Sequence, residues 1–188
     1  MAAHAPLAAP SPWVLRFARL IPAGETLDLA CGSGRHARWL TELGHPVLAV
    51  DRDPQALASC AAPGIVTALH DLESGAPWPY PERRFAGIVV TNYLHRPLFG
   101  ALFAALAPGG VLIYETFAAG NGRYGKPANP DFLLQPGELL EQVRRHGGPC
   151  RIVAYEDGYV SEPKPALVQR ICAVKPGPVE APEKVWAL

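Results

Sequence analysis

The sequence contains little that would point to a disulfide framework, a membrane or nucleic acid. Its four cysteines (Cys31, Cys60, Cys150 and Cys172) include no CxxC pair and no histidine at metal-ligand spacing, which favours isolated thiols and disfavours a zinc site. No apolar run approaches the length that spans a bilayer, and the Ala/Pro-rich start lacks the pattern of a secretory signal. The 17 basic residues balance the 17 acidic ones without clustering, so nucleic acid is a disfavoured partner. These absences predict a cytoplasmic protein.

Length and composition indicate one globular domain. Hydrophobic residues make up 49% of the 188 residues and charged residues 18%, so burial can offset the conformational entropy lost on folding. A chain of this length buries most of its apolar surface in one core. We therefore predict a single domain over residues 1–188, with a frayed start at 1–10 and a tail at 175–188.

Apolar segments alternate with helical ones, which predicts an α/β fold. Residues 87–90, Gly-Ile-Val-Val, are apolar throughout, as expected for a parallel strand that is covered on both faces. After a helix at 11–20, the predicted strands are 26–30, 47–51, 65–69, 85–91 and 111–116, and the predicted helices are 35–43, 54–60, 98–106 and 136–145.

Two features near the end of the chain differ from this alternation. The predicted strands 151–160 and 166–174 are joined by so short a link that they must be antiparallel neighbours. The loop 118–130 is rich in glycine, asparagine and proline and is long for a connector. We predict a lid over the acceptor there.

The strongest local signal is a strand, a turn with two glycines and a helix. It runs from Leu27 through Asp28, Gly32 and Gly34 to His36. Glycines let a backbone turn sharply and approach a ligand, and the following helix N-terminus adds partial positive charge. Alone, this pattern also fits a dinucleotide site. A nicotinamide reductase is disfavoured because no Tyr-x-x-x-Lys sequence occurs.

Three acids at successive strand ends favour S-adenosylmethionine over a dinucleotide. Asp28 precedes the glycines, where its charge suits an ammonium group and would repel a pyrophosphate. Asp51 ends the next strand and can accept two hydrogen bonds from a ribose diol. Asp71 follows the third strand, where it can accept from an adenine amino group while Leu72 flanks the ring. All three are expected at the crevice where open α/β sheets bind ligands.

With these residues, the segment 27–116 resembles the class I S-adenosylmethionine-dependent methyltransferases. The resemblance implies a Rossmann-like fold: a seven-stranded, mostly parallel sheet with an antiparallel last strand and helices on both faces. It also implies that Asp28, Gly32 and Gly34 cradle the methionine moiety, that Asp51 binds the ribose, and that Asp71 with Leu72 binds the adenine. Four neighbouring residues complete the expected cofactor site: Ala30, Cys31, Arg52 and Asn92.

The chain departs from the family at one position and shows a second similarity outside the segment 27–116. Ala30 stands where the family often has glycine, which affects how tightly the loop can turn. The segment 129–139 is similar to small bacterial tellurite-resistance methyltransferases. That second similarity identifies no substrate.

The acceptor is expected near the end of the fourth strand, at residues 91–97. Methyl transfer is an in-line displacement, so alignment of donor and acceptor supplies much of the acceleration. His95 is the candidate general base, since its ordinary pKa permits proton acceptance at neutral pH; the alternative is a structural imidazole. Tyr93 either walls the sulfonium with its ring face or fills core volume. Glu115 either faces the crevice or orients its neighbours.

The sequence thus predicts an enzyme that transfers a methyl group from S-adenosylmethionine to a small-molecule acceptor. No metal is expected. RNA or protein methylation and a non-catalytic S-adenosylmethionine-binding domain remain as alternatives.

Overall fold

A computed structural model describes residues 9–177, which form one seven-stranded sheet in the spatial order β3-β2-β1-β4-β5-β7-β6. The first five strands in this order are parallel, and β7 is antiparallel to both of its neighbours. This arrangement confirms the predicted fold class. The strands are β1 Thr26–Leu29, β2 Val47–Asp51, β3 Ile65–Leu69, β4 Phe85–Thr91, β5 Leu106–Phe117, β6 Arg151–Val160 and β7 Ala166–Val174.

Five α-helices cover the two faces of the sheet: α1 Pro12–Phe17, α2 Arg35–Glu42, α3 Pro54–Cys60, α4 Phe99–Ala105 and α5 Glu138–His146. One buried cluster holds apolar side chains of α1, α2 and α3, and the other holds those of α4 and α5. Ser11 caps α1 by accepting a hydrogen bond from the backbone N–H of Trp13 at 3.1 Å. The apolar residues 87–90 of β4 are therefore buried, because helices cover the sheet on both faces.

The fifth strand is longer than the sequence predicts. Strand β5 begins at Leu106, before the predicted start at 111, and passes through Pro108, Gly109 and Gly110. The pairing with β4 shifts between Phe85 and Gly87. A Cβ on Gly110 would lie 2.9 Å from the carbonyl oxygen of Phe85. A bulge that requires glycine thus continues the strand where a break was expected.

The strand order reverses at β1, which has its parallel neighbour β2 on one side and β4 on the other. Such a reversal opens a crevice at the carboxyl ends of the strands. Residues 70–84, which connect β3 to β4, contain no helix. Val66 and Leu69 on the edge strand β3 are consequently 62% and 58% exposed.

The segment 118–130, which was predicted as a lid, is attached to strand β7 through Asn121. Asn121 is buried; its Oδ1 accepts from the backbone N–H of Leu167 at 3.1 Å and its Nδ2 donates to the carbonyl of Pro127 at 3.0 Å. The predicted start and tail lie outside the described residues except for 9–10 and 175–177. Of these, Lys175 donates from Nζ to the carbonyls of Phe103 and Leu106 at 3.1 and 2.8 Å.

Candidate functional site

A cleft of about 200 Å³ opens at the carboxyl ends of β1, β2 and β3. Eight residues line it: Ala30, Asp51, Arg52, His70, Asp71, Leu72, Glu73 and Tyr93. Six of these were predicted as site residues. The structure therefore brings the ends of three strands and the residues after β4 to one crevice.

The glycine loop that follows β1 is held by its own backbone and by Asp51. Gly32 and Gly34 have φ values of 54° and 83°, a region that glycine adopts without steric cost. The N–H of Gly32 donates to Oδ2 of Asp51 at 2.8 Å, and the N–H of Gly34 donates to the carbonyl of Cys31 at 3.0 Å. Asp51, which is predicted to bind the ribose, thus also holds the glycine loop in place.

Ala30 has a φ of 53° in this loop. An L-residue in this region is strained by roughly 1–2 kcal/mol. Ala30 therefore adopts the left-handed conformation that the family often provides with glycine at this position.

Asp51 and Asp71 stand at adjacent strand ends. Oδ1 of Asp51 accepts from the backbone N–H of Asp53 at 2.9 Å, so each carboxylate oxygen has one backbone donor and can accept another. Oδ1 of Asp71 accepts from the N–H of Glu73 at 3.0 Å. Both carboxylates keep capacity for hydroxyl or amino donors of a ligand.

Asp28 lies beneath this surface and is not among the cleft-lining residues. Its side chain is 1% exposed, and Oδ2 has no hydrogen-bond partner among the described residues. Burial raises the pKa of this carboxyl to about 8, and the nearby Cys60 adds to the rise. Burial therefore favours the protonated form of Asp28, whereas the sequence suggested a charged group at this position.

Tyr93 is the residue after β4 that reaches the cleft. Its carbonyl accepts from the hydroxyl of Tyr114 at 2.8 Å, and burial followed by the charge of Glu73 raises the pKa of its phenol. The preceding Asn92 has a φ of 55° and is exposed. Its N–H donates to the carbonyl of Glu115 at 2.9 Å, which ties the turn to β5.

Glu115 is bound by protein groups outside the cleft lining. Its Oε1 accepts from the hydroxyl of Ser11 at 2.9 Å, and its Oε2 lies 3.0 Å from Nε of Arg170. The two charged side chains are 12% and 14% exposed. This geometry corresponds to the orienting alternative for Glu115.

His95 is half-buried at the start of a short 3-10 turn and is also outside the cleft lining. The adjacent Arg96 binds both carboxylate oxygens of Glu138, at 2.7 and 3.0 Å. It also donates to the carbonyls of Asp131 and Leu133. The turn that carries His95 is therefore fixed to α5 and to the segment before it.

Within residues 9–177, no group of three or more His, Cys, Asp or Glu side chains could hold a metal ion. No helix of the described part of the chain is long and apolar enough to cross a membrane.

Comparison with known families identifies the chain. The sequence profile described as the methyltransferase domain matches residues 1–146. The chain belongs to the methyltransferase domain family. This membership confirms the predictions that the chain is a class I methyltransferase, that it is an enzyme and that its cofactor is S-adenosylmethionine.

Solved structures with the same fold include other methyltransferases. TehB from Haemophilus influenzae is 20% identical with a TM-score of 0.70; the match covers 86% of this chain and 61% of TehB. A TehB-like S-adenosylmethionine-dependent methyltransferase from Corynebacterium glutamicum is 24% identical with a TM-score of 0.60, over 84% and 86% of the two chains. A third, from Mesorhizobium loti, is 19% identical with a TM-score of 0.65, over 86% and 97%. A search of curated protein sequences gives no match.

Two residues of the methyltransferase cleft were missed by the sequence interpretation. His70 and Glu73 line the cleft on either side of Asp71 and Leu72. The signal that could have found them is their position, because they flank a strand-end acid.

Another histidine, His36, lies outside the cleft lining and is buried against the start of α1. Burial lowers its pKa to about 3, and its Nε2 accepts a hydrogen bond from the N–H of Ser11 at 3.1 Å.

Proposed function

We propose that this methyltransferase binds S-adenosylmethionine in the cleft and transfers its methyl group to a small-molecule acceptor. The hydrogen bond from the Gly32 N–H to Asp51 supports this most strongly, at 2.8 Å. It joins the glycine loop and the second strand-end acid into one site, and the third acid of the set that favoured this cofactor over a dinucleotide, Asp71, lines the same cleft.

The proposed cofactor contacts follow the strand ends. Asp51 would accept from the ribose hydroxyls with its remaining lone pairs, and Asp71 would accept from the adenine amino group beside Leu72. Arg52, which also lines the cleft, would lie beside the ribose, next to Asp51. The methionine end would lie along the loop and beyond β4, against Ala30, Cys31, Gly32, Gly34 and Asn92, with Asp28 beneath.

The residues of this chain would act mainly by alignment. S-adenosylmethionine supplies the methyl group on a cationic sulfonium, and an in-line approach accelerates the displacement by removing orientational freedom. The ring face of Tyr93 would contact the sulfonium at the reacting centre in a cation–π interaction. His95 lies outside the cleft lining, so it would act on the acceptor side as a structural imidazole in the turn after β4. Glu115 would act as a positioning residue through the backbone of Asn92.

A small acceptor is supported by the charge distribution. Equal numbers of acidic and basic residues provide no extended positive face for RNA. We further propose that the protein acts in the cytoplasm, which is supported by the four free thiols.

Isothermal titration calorimetry tests the proposal directly. We expect one-to-one binding of S-adenosylmethionine and of S-adenosylhomocysteine to the purified full chain, and no binding of NADH. Release of S-adenosylhomocysteine is then measured across a panel of small hydroxyl, amine and thiol acceptors, with RNA and protein as comparison substrates. Absence of binding of both adenosyl ligands would refute the cofactor site, and salt-sensitive turnover on RNA alone would refute the small acceptor.

A further inference from the structure

Glu73 is a carboxylate of the cleft to which the proposed cofactor contacts assign no role. It lines the cleft together with Asp51 and Asp71, which accept from the ribose and the adenine in the proposed function. Its side chain is 34% exposed, so solvent screens its charge only in part. The backbone N–H of Glu73 donates to Oδ1 of Asp71 at 3.0 Å, which holds the turn that carries Glu73 beside the cleft.

The charges that line the cleft are unbalanced. The carboxylates of Asp51, Asp71 and Glu73 share the lining with one arginine, Arg52. Oε1 of Glu73 lies 3.9 Å from Nη1 of Arg52, whose side chain is 67% exposed. An ion pair this long and this exposed offsets little of the Glu73 charge. The cleft therefore has a net negative charge, which favours a cationic ligand over a neutral one.

The electric field of Glu73 reaches Tyr93, the residue against which the proposed function places the sulfonium. Tyr93 follows β4 and lines the same cleft. Burial raises the pKa of its phenol, and the charge of Glu73 raises this pKa further, because a nearby anion disfavours a second negative charge. An anion that opposes ionisation of this phenol attracts a positive charge that lies against the same ring.

We propose that Glu73 makes the cleft select the charged methyl donor, S-adenosylmethionine, over its uncharged product, S-adenosylhomocysteine. The two molecules differ by one methyl group and by the positive charge of the sulfonium. Both therefore make the same contacts to Asp51 and Asp71, and only the donor is attracted by the charge of Glu73. The proposal rests on the proposed function, since it requires the sulfonium to lie in this cleft beside Tyr93.

Methyl transfer removes the charge on which this selectivity depends. A lone pair of the acceptor forms the new bond to the methyl carbon, while the sulfur keeps the electron pair of the broken carbon–sulfur bond. The sulfonium thus becomes a neutral thioether, and its attraction to Glu73 ends. Glu73 therefore holds the donor before the reaction and gives the product no corresponding stabilisation, which favours exchange of product for a new donor molecule.

Calorimetry on the full-length protein tests this selectivity through the Kd values of the two ligands. Glu73→Gln removes the charge and keeps nearly the same side-chain shape. It should raise the Kd of S-adenosylmethionine about fivefold, as expected for charges several ångströms apart in a partly solvated cleft. The Kd of S-adenosylhomocysteine should stay within about twofold. Sinefungin, which has a charged amine in place of the sulfonium, should bind more weakly to the variant as the donor does.

Glu82→Gln is the matched control, because it removes the same charge from the same connection between β3 and β4. Glu82 is exposed, lies outside the cleft lining and precedes the start of β4, at the opposite edge of the sheet. Both Kd values of this control should stay within about twofold. If Glu73→Gln leaves the ratio of the two Kd values unchanged, or if Glu82→Gln changes it equally, the role of Glu73 is overturned. An original protein that binds neither adenosyl ligand instead overturns the proposed function, and the selectivity with it.

Discussion

The carboxylates on the two sides of β4 have opposite environments. On the cofactor side, Asp51 accepts one backbone N–H on each oxygen, at 2.8 and 2.9 Å, and faces an open cleft. On the acceptor side, Glu115 lies 3.0 Å from Arg170 and Glu138 lies 2.7 Å from Arg96. The first carboxylate keeps lone pairs for a ligand, whereas the other two are each paired with the charge of an arginine.

This difference shows that an acid at a strand end does not by itself mark a binding site. The deciding property is the capacity that remains after the protein's own donors are satisfied. A carboxylate paired with a guanidinium in a partly buried place fixes the fold, because removing either partner leaves an uncompensated charge. The cofactor side is therefore expected to lose affinity on substitution, and the acceptor side to lose stability.

The largest effect is expected for Asp28→Asn, as a change in the pH dependence of stability. The folded pKa is about 8, above the ordinary value, so between pH 4 and 8 the folded protein binds one proton more than the unfolded chain. Stability of the original protein then falls as pH rises, by about 1.4 kcal/mol per pH unit for one proton. Asparagine cannot ionise, and the variant should lack this slope.

Urea unfolding at pH 5, 6, 7 and 8 measures the difference between the two proteins. Other titrating groups contribute equally to both and cancel. Equal slopes would mean that Asp28 is ionised in the folded protein and is an open acid like Asp51.

Glu115→Ala should have the next largest effect, and on stability. The substitution leaves Arg170 near only Glu156, at 3.6 Å, and should cost roughly 3 kcal/mol of unfolding free energy. The affinity for S-adenosylhomocysteine should stay within about twofold, well below the value of one hydrogen bond. The control is Glu156→Ala, whose half-exposed carboxylate should contribute less than about 1 kcal/mol. A stable Glu115→Ala protein with no turnover would place Glu115 in catalysis.

On the cofactor side, Asp51→Ala should weaken binding of S-adenosylhomocysteine by about 1–3 kcal/mol. The ribose hydroxyls lose their acceptor and Gly32 loses its support. Asp53→Ala is the matched control, since that side chain caps α3; it should cost about 1 kcal/mol of stability and leave affinity unchanged. Calorimetry that finds the same Kd for both variants would contradict the assignment of Asp51.

Much of this fold could be predicted because its signals are local. Strands such as 47–51 and 65–69 are mainly apolar runs with an acid at the end or two residues beyond it, and the structure has them at those bounds. Asp51 and Asp71 could be placed at one crevice because parallel strands end at the same edge of a sheet. Contacts between side chains that are distant in the sequence could not be predicted. Nothing local shows that Arg170 faces Glu115, or that Asp28 is buried deeply enough to hold a proton.

For the acceptor side, His95→Ala gives a smaller effect than a catalytic base would. His95 lies outside the cleft lining, so we expect turnover to fall by less than about 10²-fold, the lower end of what a general base contributes. Cofactor affinity should not change. The rate is measured as S-adenosylhomocysteine release with the acceptor found by screening. A larger loss that disappears at high pH would identify His95 as the base.

The smallest effect compares two left-handed residues, one directly after β1 and the other directly after β4. Ala30 and Asn92 have φ values of 53° and 55°. Ala30→Gly relieves strain of roughly 1–2 kcal/mol but raises the entropy of the unfolded chain, which offsets about 0.5–1 kcal/mol. It should therefore stabilise the protein slightly in urea unfolding. Asn92→Gly should gain less, because asparagine already tolerates this conformation. Equal gains at the two positions would mean that the glycine loop stores no more strain than the acceptor-side turn.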